Sequence, residues 1–165
     1  MRSHPIVLAA TLAVAVSAGG CGASSGPPET PAGAAPPTVN ASYLNQFKSE
    51  VLTNGAGFPL YVFQPDHGRA VTCKGSCAAI WPPVFVSPTQ RTKSGPGIQA
   101  SLLGSDPYSG KRSVVTYNGW PLYGYVSDVA PGVATGQGLN LNGSYWYVIR
   151  PDGKVLVPAG DPPAT

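Results

Sequence analysis

The chain has 165 residues, of which 42% are hydrophobic and 10% are charged, and its 10 basic and 7 acidic residues give a net charge of +3. Its 21 glycines and 19 prolines exclude a coiled coil or a helical bundle, because these need charged helix-forming residues and few helix breakers. The basic residues are scattered, so no nucleic-acid partner is expected. The composition favours short strands joined by tight turns.

Residues 1–20 are predicted to be a signal peptide. Arg2 supplies a positive charge, and an apolar run follows over residues 6–16. This run is shorter than the roughly 20 apolar residues that cross a bilayer, and it has the length of the apolar region of an export signal.

The signal ends in Ala-Gly-Gly-Cys at residues 18–21, which resembles a bacterial lipobox with Ala18 where Leu or a similar aliphatic is usual. In such a site the chain is cut before the cysteine and the Cys21 thiol is acylated, and two acyl chains anchor a protein stably where one is marginal. The sequence therefore predicts a lipid-anchored protein on the extracytoplasmic face of the cell membrane. The alternative is an ordinary secretory signal, cut near Ala18, followed by an unmodified cysteine.

The next residues are rich in Pro, Gly and Ala and contain no large apolar side chain. Nothing in them compensates the entropy of ordering, so a flexible tether is predicted. We assign residues 21–38 to the lipidated cysteine and tether, residues 39–158 to one folded domain, and residues 159–165 to a tail.

The domain contains one sequence pattern twice, over about residues 50–66 and 113–128. Each copy has Asn-Gly, then aromatic-Pro-Leu-Tyr-x-aromatic-x-x-Asp. Such self-similarity indicates one supersecondary unit used twice. Because Asn-Gly accepts the positive φ angles of a tight turn, each copy is predicted to be a β-hairpin. The motif residues are Tyr61, Phe63 and Asp66 in the first copy and Tyr123, Tyr125 and Asp128 in the second. Both Asp residues follow a strand, where Asp commonly caps a turn by accepting backbone N–H bonds.

Further elements are predicted outside the two copies. Residues 144–149 are strongly strand-like, and residues 154–157 are expected to pair back with them after a Pro-Asp-Gly turn. A helical turn is predicted over residues 77–81, and residues 38–51 could hold a short helix or a first strand, with strand favoured in the latter half. The acids Asp106 and Asp152 stand in turn-like contexts. The predicted fold class is all-β with minor α: a single compact domain of two related β-hairpins plus further strands.

Three sets of residues together resemble one family. They are the two Tyr-x-aromatic-x-x-Asp copies, the Cys-x-Gly-x-Cys-Ala-x-x-Trp-Pro-Pro segment at residues 73–83 that includes Trp81, and Gly-Gln-Gly-x-Asn at residues 136–140 before Trp146. The chain is similar to the bacterial secreted-repeat lipoproteins. The resemblance implies an exported, usually lipid-anchored envelope protein and brings no assigned activity, catalytic residue or cofactor.

Cys73 and Cys77 have two interpretations. An exported domain is in an oxidising compartment, and Gly75 and Ser76 let the short loop bend to a Cα separation of about 5.5 Å, so a local disulfide is expected. Alternatively, the two thiolates and His67 form a soft-metal site for copper or zinc, or a thiol-redox site.

The sequence contains no complete catalytic set. His67 is the one histidine beyond the signal peptide, and no Gly-x-Ser-x-Gly segment is present. We therefore expect a non-catalytic binding or structural role in the envelope, with no cofactor and with an unidentified protein or small-molecule ligand. The alternative is an envelope metal-binding or electron-transfer accessory. Most of the many aromatic side chains are expected in the core, and some could line a ligand groove.

Overall fold

The computed structural model describes residues 38–68 and 71–164. The predicted signal peptide, the lipidation site at Cys21 and the tether over residues 22–37 lie outside these residues. The strands are, in chain order, β1 (Thr38–Leu44), β2 (Ser49–Asn54), β3 (Tyr61–Phe63), β4 (Phe85–Val86), β5 (Lys93–Ser94), β6 (Leu103–Ser109), β7 (Arg112–Tyr117), β8 (Trp120–Pro121), β9 (Leu139–Leu141) and β10 (Ser144–Val148). The regular secondary structure of the described residues is mostly short strands in small sheets, with one short α-helix, α1 (Ser76–Ile80), so the predicted fold class is confirmed.

The first sheet begins with a hairpin that the sequence left undecided. Strands β1 and β2 pair antiparallel across a turn at residues 45–48, and β5 pairs with β1 in parallel. The segment therefore contains strand on both sides of a turn and no helix.

The second sheet has the order β3-β10-β9, and β10 confirms the strand expected over residues 144–149. The return of residues 154–157 is shorter than predicted, being a single bridge between Ile149 and Val155 with flanking backbone bonds. The predicted tail packs on the domain, because Gln64 donates a side-chain hydrogen bond to the Pro163 carbonyl at 2.7 Å.

The third sheet contains β4, β7 and β6 in that order, with β8 paired to β7. Asn118 and Gly119 have φ angles of 49° and 77°, so the tight Asn-Gly turn predicted for the second copy is confirmed. The expectation of a turn at Asp106 was wrong. Asp106 lies within β6, opposite Val114, and the following Pro107 is tolerated because β6 is an edge strand.

The two repeat copies exchange strands. Tyr61 and Tyr123 pair antiparallel at the centre through backbone N–H to carbonyl bonds of 2.8 and 2.9 Å. From here each copy is taken to extend past its motif to a tryptophan, Trp81 in the first copy and Trp146 in the second. Strand β10, which contains Trp146, pairs with β3 of the first copy. Conversely, residues 82–83, which follow Trp81 in the first copy, pair with Tyr123 and Gly124 of the second. The copies are thus related by an approximate twofold axis between Tyr61 and Tyr123.

The central strands are buried on both faces. Alternation of side chains in the first copy places Tyr61 and Phe63 in one apolar cluster and Leu60 and Val62 in another. All four are at most 5% exposed. Continuous burial of this kind explains why the two cores enclose the motif residues instead of presenting them to solvent.

Candidate functional site

The two cysteines are bonded to each other. Cys73 and Cys77 form a disulfide with a Cα–Cα distance of 5.3 Å, so the predicted local bridge is confirmed. The bridge lies at the start of α1, and the Cys77 carbonyl accepts the backbone N–H of Trp81 at 2.8 Å. The disulfide therefore fixes the short helix that sets the position of Trp81.

His67 does not join the two cysteines as the metal interpretation requires. Its imidazole stacks on the indole of Trp120 with ring centroids 4.1 Å apart and an interplanar angle of 10°. Over residues 38–68 and 71–164, no group of three or more His, Cys, Asp or Glu side chains is arranged to hold a metal ion. The candidate set of Cys73, Cys77 and His67 therefore comprises a disulfide and a stacked imidazole.

The motif tyrosines and aspartates bond across the two copies. The Tyr61 hydroxyl donates to Asp128 Oδ2 at 2.7 Å. The Tyr123 hydroxyl donates to Asp66 Oδ2 in the same way. Each tyrosine thus binds the aspartate of the other copy, and the pair of bonds is reciprocal about the approximate twofold axis.

The other oxygen of each aspartate is bound by a threonine that the sequence analysis missed. Asp128 Oδ1 accepts the backbone N–H of Thr135 at 2.8 Å and its hydroxyl at 2.6 Å. Asp66 Oδ1 accepts the backbone N–H of Thr72 at 2.9 Å and also its hydroxyl. Each aspartate does cap the loop after its strand through a backbone N–H, as predicted. The threonines lie six residues after Asp66 and seven after Asp128, so the repeat alignment matches them only when a one-residue gap is allowed.

The phenols of Tyr61 and Tyr123 are held in the protonated form. Burial raises the pKa of Tyr61 above its ordinary value, and the hydrogen bond to Asp128 and the charge of that residue raise it further. Burial raises the pKa of Tyr123 likewise, with added contributions from the charge of Asp66 and the hydrogen bond to it. A protonated phenol can donate the bond that each aspartate accepts.

An aromatic column runs through the core across the axis. Trp81 and Trp146 stack with ring centroids 4.0 Å apart and an interplanar angle of 3°. Tyr125 stacks on the outer face of Trp81 at 4.1 Å, and Phe63 stacks on Trp146 at 4.4 Å. The second aromatic residue of each motif thus stacks on the tryptophan of the other copy. Both tryptophans are fully buried.

Two details break the symmetry of the column. The indole N–H of Trp146 donates to the Leu141 carbonyl at 3.1 Å, whereas the buried indole N–H of Trp81 has no hydrogen-bond partner in the described part of the chain. Gly136 lies so close to the column that an added Cβ would be 2.8 Å from the Trp81 ring and 3.0 Å from that of Tyr61. The Gly136 N–H also donates to the Tyr61 hydroxyl at 3.2 Å. Glycine at this position therefore permits both the ring packing and this bond.

Two of the shallow grooves on the described part of the chain lie away from the aromatic column. One encloses about 480 Å³ beside the stacked rings of His67 and Trp120, with Lys154 and Asp161 on its walls. The other encloses about 350 Å³ between Arg91, Leu103 and neighbouring residues. Asp152, expected in a turn, accepts the Lys154 N–H at 3.0 Å next to the first groove. Neither of these two grooves is lined by a tyrosine or an aspartate of the repeat motif.

The fold and the motif geometry together define a class: an all-β domain of two strand-exchanged repeats locked by reciprocal Tyr–Asp bonds. Residues 48–85 and 109–150 both match the family model described as a secreted repeat of unknown function. The chain belongs to this secreted-repeat family, and the resemblance found in the sequence is confirmed. The family description indicates export and assigns no activity. No curated protein and no solved structure is significantly similar to the chain.

Proposed function

We propose that the protein is an exported lipoprotein, anchored through Cys21, whose two-repeat domain has a non-catalytic binding or structural role at the extracytoplasmic face of the cell membrane. The observation that carries the non-catalytic part is the pair of reciprocal bonds between Tyr61 and Asp128 and between Tyr123 and Asp66. Tyr61, Tyr123 and both motif aspartates are buried, and their bonds join the two copies. Groups bound in this way stabilise a fold, and they lie beyond the reach of a substrate in solution.

The anchoring part rests on the sequence. The small residues before Cys21 follow an apolar run of signal-peptide length, and the family to which the chain belongs is described as secreted. Within the described residues, no helix is long and apolar enough to cross a membrane. Acylation of Cys21 would supply the attachment.

The ligand site that we propose for the binding role is the groove beside His67. Its walls combine an aromatic stack with a cationic and an anionic side chain, which is the mixture of apolar and polar groups common in ligand sites. The metal-binding alternative is not taken further, because both sulfurs of its proposed site are joined to each other.

The anchor is tested by expressing the full chain, signal included, as wild type and as Cys21→Ser. We expect wild-type protein in the membrane fraction with an intact mass that includes acyl chains and begins at Cys21. The Cys21→Ser variant should be free of acyl mass and recovered outside the membrane. The double variant Cys73→Ser/Cys77→Ser is the matched control and should remain acylated. Wild-type protein without acyl mass, cut near Ala18, would overturn the proposal.

A further inference from the structure

The loop over residues 125–134, here called the valine loop, presents aliphatic side chains to solvent. Val126, Val129 and Val133 are 56%, 87% and 41% exposed. The Val126 N–H donates to the Ile80 carbonyl at 3.1 Å, which brings the partly exposed Ile80 side by side with the loop. The one charged residue of the loop, Asp128, is buried against Tyr61. The loop is therefore an apolar and uncharged surface.

The scaffold holds these valines outward. Asp128, near the start of the loop, accepts two hydrogen bonds from Thr135, which directly follows the loop. The tip of the loop is fixed by the Gly132 N–H, which donates to the Gly57 carbonyl at 3.0 Å. The Gln46 side chain bonds both the N–H and the carbonyl of Ala134, at 3.2 and 3.1 Å. A loop with so many backbone anchors cannot turn its valines inward without breaking them, so their exposure is part of the fold.

The valine loop lies at the end of the domain where the chain enters it. A Cβ at Gly55 would be 3.5 Å from the Cβ of Thr38, the first described residue. A Cβ at Gly57, in the same turn, would be 3.2 Å from the Cβ of Pro131 at the tip of the loop. The first described residue and the tip of the valine loop therefore lie at the same turn.

The opposite end of the domain has a different surface. Tyr61 and Tyr123 pair antiparallel, so the turn at Gly57 and the turn at Asn118, which precede their two strands, lie at opposite ends of the pair. The Asn118 turn and the neighbouring Gly153 and Lys154 are thus at the far end. That end is polar, with the exposed Lys154 and Asp152.

We infer that the valine loop contacts the lipid surface that holds the acyl chains of Cys21. This inference rests on the proposed anchor. By composition, a 16-residue segment with five prolines spans between roughly 20 Å as a flexible coil and roughly 50 Å as extended polyproline II, so an anchored domain would stay within that distance of the bilayer. Under that constraint a weak apolar contact suffices, because the second contact is intramolecular. Insertion of aliphatic side chains at the boundary of headgroups and acyl chains is driven by the apolar area that leaves water.

The inference is tested with acylated full-length protein in vesicles of phosphatidylglycerol and phosphatidylethanolamine. A nitroxide is attached at Val129→Cys and, in a second protein, at the far-end position Lys154→Cys. Intact mass before labelling establishes whether Cys21 is acylated, and with Cys73 and Cys77 in a disulfide the introduced cysteine is then the free thiol. Failure of the anchor is thereby seen separately from failure of the loop contact.

The readout is the accessibility ratio, which is the collision rate of the label with lipid-soluble oxygen divided by its collision rate with a water-soluble nickel chelate. We expect this ratio to be at least about fivefold higher at position 129 than at position 154. A third protein is labelled at Val126→Cys. Adding Val129→Asp to it should reduce the accessibility ratio of the label at position 126, while the matched far-end change Lys154→Asp should leave that ratio unchanged. Equal access of the chelate to positions 129 and 154 in acylated protein would overturn the inference. So would protection that depends on protein concentration and not on lipid, since that result would identify a second copy as the occupant.

Discussion

At the scale of single residues, the reciprocal Tyr–Asp bonds predict two matched losses of stability. Tyr61→Phe leaves Asp128 Oδ2 without its donor, and Tyr123→Phe does the same to Asp66. Removing one partner of a buried hydrogen bond costs about 1–3 kcal/mol, so each variant should lower the free energy of unfolding by that amount. Tyr43→Phe is the control, because Tyr43 is 60% exposed and its variant should stay within about 0.5 kcal/mol of wild type. Urea unfolding measures all three, and a motif variant as stable as the control would contradict the assignment.

The same phenols predict a loss of stability at alkaline pH. The pKa of each is raised in the folded protein, whereas in the unfolded chain it returns to an ordinary value of 10.0. The contribution of the protonated phenols is therefore complete below about pH 10 and is lost as the pH rises from there towards the folded pKa values. We expect the urea midpoint to fall above about pH 10, and less steeply in the double variant Tyr61→Phe/Tyr123→Phe. If phenolate absorbance showed all tyrosines ionising near pH 10 with the fold intact, the buried bonds would be wrong.

The two stacked tryptophans predict an asymmetry within a nearly symmetric core. Trp146→Phe removes a satisfied indole N–H, whereas Trp81→Phe removes a buried N–H that has no hydrogen-bond partner in the described residues. Both changes remove similar buried area, so Trp146→Phe should cost about 1–2 kcal/mol more in the free energy of unfolding. Each variant serves as the control of the other. If both variants lost the same free energy of unfolding in the same denaturant series, the hydrogen bond of Trp146 would contribute nothing to stability.

At the scale of elements, the disulfide stabilises one short helix. Closing so small a loop between Cys73 and Cys77 contributes roughly 2 kcal/mol at most on the chain-entropy model. We expect Cys73→Ala/Cys77→Ala to lower the free energy of unfolding by about this amount, and reductant to have the same effect on wild type and none on the variant. A reductant effect on the variant, or none on wild type, would contradict a structural bridge.

Elements set by neighbouring residues could be predicted from the sequence. The Asn118-Gly119 turn, the helical turn after Cys73 and the disulfide depend on residue types that lie within a few positions of each other. The turn expected at Asp106 was wrong because pairing with β7 outweighs the local preference of an Asp-Pro pair at a sheet edge. Local chemistry thus identified the elements and left their partners open.

The candidate site shows where this limit lies. Tyr61 and Asp128 are 67 residues apart, and in each copy the first motif Tyr precedes the motif Asp by the same spacing. From the sequence, a bond within each copy and a bond across the copies are equally consistent with the pattern. Only the strand exchange, which is a property of the tertiary fold, decides that the bonds cross.

At the scale of the whole molecule, neither repeat copy is a complete unit. The first copy lacks a partner for β3 unless β10 of the second copy is present, and residues 82–83 of the first copy are paired only with the second. The aromatic column also takes Trp81 from one copy and Trp146 from the other. Folding of the two copies should therefore be one cooperative event, with both cores forming together.

The measurement that tests this account most directly is fragment complementation. The mature chain with Cys21→Ser is divided between Gln90 and Arg91, in the loop between β4 and β5, into residues 21–90 and 91–165. We expect neither fragment to fold as a monomer, and an equimolar mixture to recover the near-ultraviolet circular dichroism of the Trp81–Trp146 stack and one cooperative unfolding transition. If either fragment alone folded as a monomer with its own cooperative transition, the two copies would be independent units and the central claim of strand exchange would be contradicted.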